Sequence, residues 1–175
     1  MNYKAFLFAP LLMLGACAAP DVSRYAAERP ELDLVKYFTG TTDAWGMFQK
    51  RSGEVVKRFH VVIEGSESNG ALVLDEHFEY SDGTRQQRVW TLRHQPDGRW
   101  RGTAADVVGT AEGAVSGNAL HWTYVLHLPV DDKTYDVAFD DWMYLVDETT
   151  MVNRARMSKF GVRLGEVTLL FRRRG

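Results

Sequence analysis

Beyond Leu32, apolar and polar residues alternate with a period of two through one run after another. Such alternation marks half-buried β-strands, because successive side chains of a strand point to opposite faces. Turn signals recur about every ten residues: Ser52-Gly53, Asn69-Gly70, Asp82-Gly83, Asp97-Gly98, Gly117-Asn118 and Asp131-Asp132. The runs between them are rich in Val, Thr, Tyr, Phe and Trp, which favour a pleated surface. Strands are predicted at 43–51, 54–64, 71–80, 86–95, 99–107, 109–116, 118–128, 134–146, 149–158 and 162–172. No helical period persists over three turns in this region. Ten strands joined by tight turns predict an all-β, antiparallel up-and-down barrel, since closure removes exposed sheet edges. A two-sheet sandwich is the alternative, although its long crossover connections have no counterpart here.

The alternation also predicts which side chains line the interior. One face collects Val55, Lys57, Phe59, Val61 and Ile63, and the next strand contributes Leu72, Leu74, Glu76, Phe78 and Tyr80. After the Asp82-Gly83 turn, Arg88, Trp90, Leu92 and His94 take the same side, which makes Glu76 and Arg88 neighbours across a hairpin. Trp100, Gly102, Ala104, Asp106 and Val108 share a face, and Leu120, Trp122, Tyr124, Leu126 and Leu128 form the most apolar one. Of the adjacent acids Asp140 and Asp141, strand geometry sends only one inward. The more continuous apolar face (Tyr135, Val137, Phe139, Met143, Leu145) selects Asp141, leaving Trp142 and Tyr144 outside. Asn153 falls in line with Met151, Ala155 and Met157. The candidate ligand-binding residues are thus Glu76, Arg88, Trp90, Asp106, Trp122, Tyr124, Asp141 and Asn153. For Asp141, Arg88, Asn153 or Arg154 is the expected partner. An apolar, aromatic interior with a few polar groups suits an amphipathic ligand. The same groups also suit a satisfied internal network that pins strand register.

Composition narrows the function. Among 175 residues, 45% are apolar and 25% charged, a globular balance that excludes disorder. The formal net charge of -2 lacks the basic excess of a nucleic-acid binder. The single cysteine excludes an internal disulfide framework and a multi-cysteine metal site. No Gly-x-Ser-x-Gly elbow or phosphate loop occurs. His60, His77, His94, His121 and His127 have no metal-ligand spacing, so no metal or cofactor is expected. His121 and His127 share a face but lie about 20 Å apart at ~3.4 Å per residue. Carboxylate acid–base chemistry by Glu76, Asp106 and Asp141 is the one enzymatic option, and it requires their acidities to diverge.

The N-terminus reads as an address. A lysine precedes an apolar stretch from Ala5 to Leu14, which is too short to span a bilayer and has the length of a signal-peptide core. Leu14-Gly15-Ala16-Cys17 resembles the bacterial lipobox, which implies diacylglycerol on the Cys17 thiol, cleavage before it and acylation of the new amine. Ala18, in place of Asp, implies sorting to the outer membrane of a Gram-negative envelope, with the domain facing the periplasm. The expected organisation is a signal peptide at 1–16, a lipidated tether with at most a short helical turn at 17–31, and a barrel at 32–175. The closing Arg172-Arg173-Arg174 reads as the solvated end of the last strand or as a contact for anionic headgroups.

Several segments together resemble one family. They are the lipobox, Gly40, Trp45-Gly46-Met47-Phe48, Leu74-Asp75-Glu76, Arg88-Val89-Trp90, Gly98-Arg99-Trp100, Ala105-Asp106-Val107, Asp140-Asp141-Trp142-Met143-Tyr144 and Phe160-Gly161-Val162. The family is a group of proteobacterial lipoproteins known as domain of unknown function 3833. The resemblance covers nearly the whole mature chain and implies a lipocalin-like barrel. It also implies a connection with lipids, because genes of the family tend to neighbour those of lipid-modifying enzymes. Gly40 and Trp45 are similar to the glycine and tryptophan that open lipocalin-like barrels. Three functions follow: a membrane-anchored carrier or sensor of a lipid or other amphipathic small molecule, a structural or partner-binding envelope lipoprotein with a filled barrel, and a lipid-modifying enzyme.

The lipobox reading has a direct test. Cys17→Ser is expected to release the protein from membranes or to leave the precursor uncleaved. Unchanged mature mass with unchanged membrane fractionation refutes it.

Overall fold

The computed structural model describes residues 20–130 and 132–175. Cys17 and the proposed signal segment lie outside the described residues. The described residues open with a 3-10 turn, Val22–Tyr25, and a one-turn helix α1, Leu34–Phe38. Ten strands follow: β1 Gly40–Lys50, β2 Val55–Ser68, β3 Ala71–Tyr80, β4 Arg85–His94 and β5 Trp100–Thr103. The remainder are β6 Ala111–Ser116, β7 Ala119–Val130, β8 Lys133–Leu145, β9 Thr150–Lys159 and β10 Val162–Arg173. Each strand pairs antiparallel with the next, and β1 pairs with β10 from Thr42↔Arg173 to Lys50↔Gly165, closing the barrel. The up-and-down expectation holds, and the strand limits differ from those predicted by a few residues, with one exception.

The exception is the stretch predicted as strand 99–107, where β5 stops at Thr103. Ala104-Ala105-Asp106 carries no β-branched or aromatic residue, and the Ala104 carbonyl accepts the Val107 amide in a turn. The chain then runs beside β7: Val107 bridges Leu126, the His127 amide donates to the Asp106 carbonyl, and the Val108 amide donates to Val125. Asp106 therefore faces inward from a loop and not from a strand, while Val108 is exposed. Inward-facing residues of the other strands follow the predicted alternation. Val61, Ile63, Leu72, Leu120, Met151 and Asn153 are all at most 4% exposed. Two predicted members of the interior faces do not belong to it: Val55 at the start of β2 and His94 at the end of β4 are exposed. Both sit at strand ends, beyond the packed layers.

One end of the barrel is plugged and the other is open. Asp33 caps α1 by accepting the Lys36 amide, which leaves Leu34 and Phe38 pointing into the barrel. Phe38 meets Phe171 edge-on at 6.0 Å. The helix approaches β2 so closely that a β-carbon on Gly65 would lie 1.8 Å from the Phe38 carbonyl oxygen. Gly102 and Gly113 similarly leave room for the Trp122 ring. The 3-10 turn packs outside: the Tyr25 ring lies 6.0 Å from Trp142 and its hydroxyl 3.3 Å from that of Tyr144. The proposed tether is therefore docked over Asp21–Leu32, with the Leu32 amide bonded to the Gly117 carbonyl.

The plug yields a stability prediction. Gly65→Ala must push α1 off β2 and is expected to destabilise the fold by ~1–3 kcal/mol, the usual cost of overpacking. Thermal unfolding of Gly65→Ala beside the wild type checks this. Equal melting temperatures refute the tight approach.

Candidate functional site

The lumen holds a cavity of about 170 Å³. Its apolar lining includes Phe48, Phe59, Phe78, Trp90, Trp122 and Phe139, and its polar lining includes Glu76, Arg88, Tyr124, Asp141 and Asn153. Phe78, Tyr80 and Leu128, towards the open end, are half-buried, and Gln86 there is exposed. Leu34 and Phe38 of α1 form the floor. The polar groups thus sit partway down a tube whose mouth is apolar. Seven of the eight residues predicted from sequence line this cavity, and the eighth, Asp106, reaches it through Arg88.

Glu76 and Arg88 are direct cross-strand partners on β3 and β4, as predicted. The guanidinium, however, turns to Asp106. Arg88 Nε lies 3.0 Å from both Asp106 carboxylate oxygens, and Nη2 lies 2.7 Å from Oδ2. Glu76 is left at 3.7 Å from Nη1, too long for a hydrogen bond. The expected interior Glu76–Arg88 ion pair is present, but the hydrogen bonds of Arg88 go to Asp106 in a two-point fork. Two carboxylates compete for one guanidinium, and Asp106 takes two of its nitrogens at hydrogen-bond distance. Burial opposes the charge of Arg88, but the Asp106 bonds and the charge of Glu76 outweigh it and raise its pKa.

Asp141 is 4% exposed and points inward, with Asp140, Trp142 and Tyr144 on the outer wall, as the alternation predicted. The β7–β8 register runs without a bulge through both aspartates. Of the expected partners, Asn153 is the one used. Its Nδ2 donates to Asp141 Oδ1 and, at 3.2 Å, to the Trp142 carbonyl. The Tyr124 hydroxyl donates to Oδ2 at 3.3 Å. Arg88 is taken by Asp106, and Arg154 lies outside on Glu166 at 2.8 Å. Burial pushes the Asp141 carboxyl up to about 7 against the Asn153 and Tyr124 bonds. Burial likewise pushes Glu76 up to about 7, with Arg88 opposing and Asp106 and Asp141 adding to the rise. Their acidities are shifted alike, so the geometry supplies no division into acid and base.

Outside, His121 stacks on Trp142 at 4.2 Å and contacts Asp140 at 2.8 Å, and His127 contacts Asp136. Trp45 is 49% exposed on the outer wall and stacks on His60. The terminal arginines are engaged. Arg174 forks onto Asp43 at 2.6 and 2.7 Å, and Arg172 donates to Thr150. Sequence reasoning missed Ala44 and Phe48 of β1, Val167, Leu169 and Phe171 of β10, and Leu34 and Phe38 of α1. The signal for the α1 pair was Asp33 followed by apolar residues four apart, a capped helical turn.

A closed ten-stranded barrel with a lined lumen is of the lipocalin-like class. The chain belongs to the family described as protein of unknown function (DUF3833), whose model matches residues 11–173. No curated protein matches the sequence. Among solved structures, it is similar to a DUF3598-family protein of unknown function from Nostoc punctiforme. That match has TM-score 0.61 and 12% identity over 85% of this chain and 51% of the other, so this chain spans about half that protein's length. It is also similar to an S-type phycobiliprotein lyase from Guillardia theta, with TM-score 0.60 and 6% identity over 89% and 99% of the chains. A designed fluorescence-activating β-barrel aligns at TM-score 0.44 and 14% identity, over 82% of this chain and 99% of that one. At these identities the likeness is one of fold.

Two predictions arise from the site. A carboxyl whose folded pKa is raised binds more protons folded than unfolded across the interval between the two values. Glu76 and Asp141 move from ordinary values of 4.5 and 3.8 to about 7. Their contribution to stability therefore falls as pH rises from about 4 to about 7 and levels off above. The Glu76→Gln, Asp141→Asn double variant is expected to have a flatter melting temperature across that interval than the wild type, and an identical slope refutes the assignment. Separately, Asp106→Ala is expected to destabilise more than Glu76→Ala, because it strands Arg88. Its cost should approach but not reach the ~3–5 kcal/mol of a fully buried pair, since the fork keeps some solvent contact. Urea denaturation gives the order.

Proposed function

We propose that the protein is a lipid-anchored envelope protein that binds a small amphipathic molecule in its barrel lumen. The observation that carries the binding reading is Glu76. Among the described residues its carboxyl makes no hydrogen bond, yet it faces an otherwise apolar cavity. Its one ionic contact, Arg88 at 3.7 Å, is shared with Asp106, and a ligand with a polar end would supply the hydrogen bond that this contact does not. The lumen volume of about 170 Å³ sets the size. It lies below the ~300–1,000 Å³ of drug-sized pockets and near the ~150 Å³ of an engineered cavity that accepts benzene. A single ring or single chain fits, with its far end in the open mouth, whereas a two-chain lipid does not. The anchoring reading rests on the lipobox at Leu14–Cys17, and the outer-membrane, periplasm-facing location on Ala18. The docked 3-10 turn supports a tether that leaves the barrel along its outer wall.

The small lumen also favours the second reading, a barrel filled by side chains that serves a structural or partner-binding role. Titration of the full chain with 1-octanol, read by tryptophan emission, separates the two, because Trp90 and Trp122 line the cavity. A saturable spectral change, weakened in Val61→Phe, which adds bulk to the lumen, is expected. Absence of saturable binding refutes the ligand reading and leaves the filled barrel.

A further inference from the structure

The cavity has an imbalance that its size alone does not explain. Glu76, Asp106 and Asp141 face the interior with Arg88 as the one guanidinium among them. Asp106 occupies Arg88 through a two-point fork, and Asp141 is held by the neutral Asn153 and Tyr124. Glu76 lines the lumen with 14% of its side chain uncovered. Around these acids stands an aromatic wall. Trp90 meets Tyr124 edge-on at 5.5 Å and Trp122 at 6.1 Å, Tyr124 stacks on Phe139 at 5.0 Å, and Phe78 stacks on Tyr80 at 5.9 Å. Aromatic faces attract cations through the ring quadrupole, most strongly where water is excluded. A carboxylate or phosphate head would meet two acids without a free cation, because Arg88 is already engaged. An uncharged head would satisfy hydrogen bonds, but above about pH 7, where Glu76 and Asp141 ionise, it would leave their charge uncompensated.

We propose that the lumen selects an organic ammonium compound, its positive head seated by Glu76 and Asp141 against the Trp90–Tyr124 wall and its single apolar tail directed to the open end. The inference rests on the lumen-binding reading above and adds the charge of the ligand. The depth of the groups supports it. Glu76 and Tyr124 sit midway along β3 and β7, Asp141 lies nearer the plugged end, and Phe78, Tyr80 and Leu128 lie towards the mouth. A ligand therefore enters head first, with no charge left at the apolar rim. Burial holds Glu76 and Asp141 protonated up to about pH 7 in the empty barrel. Seating an ammonium ion there favours loss of those protons, so binding releases protons to solvent.

The test uses the full chain and three probes that share one tail: octylammonium, 1-octanol and octanoate, measured by calorimetry at pH 5 and pH 8. The octylammonium charge, like that of lysine with its pKa of ~10.4, persists throughout this range. Octylammonium is expected to bind about tenfold or more tightly than octanol at pH 8, and octanoate more weakly than either. Its affinity should rise from pH 5 to pH 8, with proton release visible as a buffer-dependent heat, while that of octanol stays flat. Glu76→Gln should bring the octylammonium affinity close to that of octanol while sparing octanol binding, which also reports that the variant is folded. Octanol binding with no preference for octylammonium, or tighter binding of octanoate, overturns the charge assignment and leaves the lumen reading intact. If no probe binds, the lumen reading fails and this inference fails with it.

Discussion

The pairing of β1 with β10 is the constraint on which the rest depends. Nine register pairs from Thr42↔Arg173 to Lys50↔Gly165 convert a meander into a tube. A meander has two free edges and an ambiguous inner face, whereas a tube has no free edge and a defined inner face. Once the sheet closes, each strand's alternation becomes a division between lumen and solvent. The engagement of Arg174 with Asp43 across this seam fastens the last residues of the chain to the first strand.

Closure makes the lumen a place where polar groups must find partners. Arg88 is neutralised by Asp106, delivered by a loop that leaves the sheet after Thr103 and runs along β7. Asp141 is held by an amide and a phenol, and Glu76 is left without a hydrogen bond. Three neighbouring acids thus meet three fates, set by which element carries the partner and from which direction it arrives. The burial that keeps these groups from water also raises the carboxyl pKa values of Glu76 and Asp141, which makes the charge of the lumen depend on pH.

The two ends of the tube have opposite characters. Helix α1 fills one with Leu34 and Phe38, and Gly65 permits its close seat. The other end keeps half-buried aromatic and aliphatic side chains around an opening. The lumen is thus closed at the floor and open at an apolar rim, with its polar groups between the two.

Much of this was determined by the sequence alone. Period-two alternation and regularly spaced turns fix the number and order of strands, and parity along each strand fixes that Glu76, Trp90, Trp122, Asp141 and Asn153 face inward. Parity is a local property, since each peptide unit reverses the side-chain direction whatever lies across the sheet. The Asp140-Asp141-Trp142 segment shows how far it reaches, because a continuous apolar face on one side of β8 sufficed to orient two adjacent acids. What tertiary structure alone decided were the choices among partners: Arg88 taking Asp106 over Glu76, Asp141 taking Asn153 and Tyr124 over arginine, and α1 plugging one end. These depend on distances between segments far apart in the chain and on the approach angle of a loop, and no local pattern carries that information. The departure of the chain from β5 at Thr103 belongs with them. The alternation of Ala104 and Asp106 continued on paper, but an ion pair and an edge on β7 offered the backbone a better place.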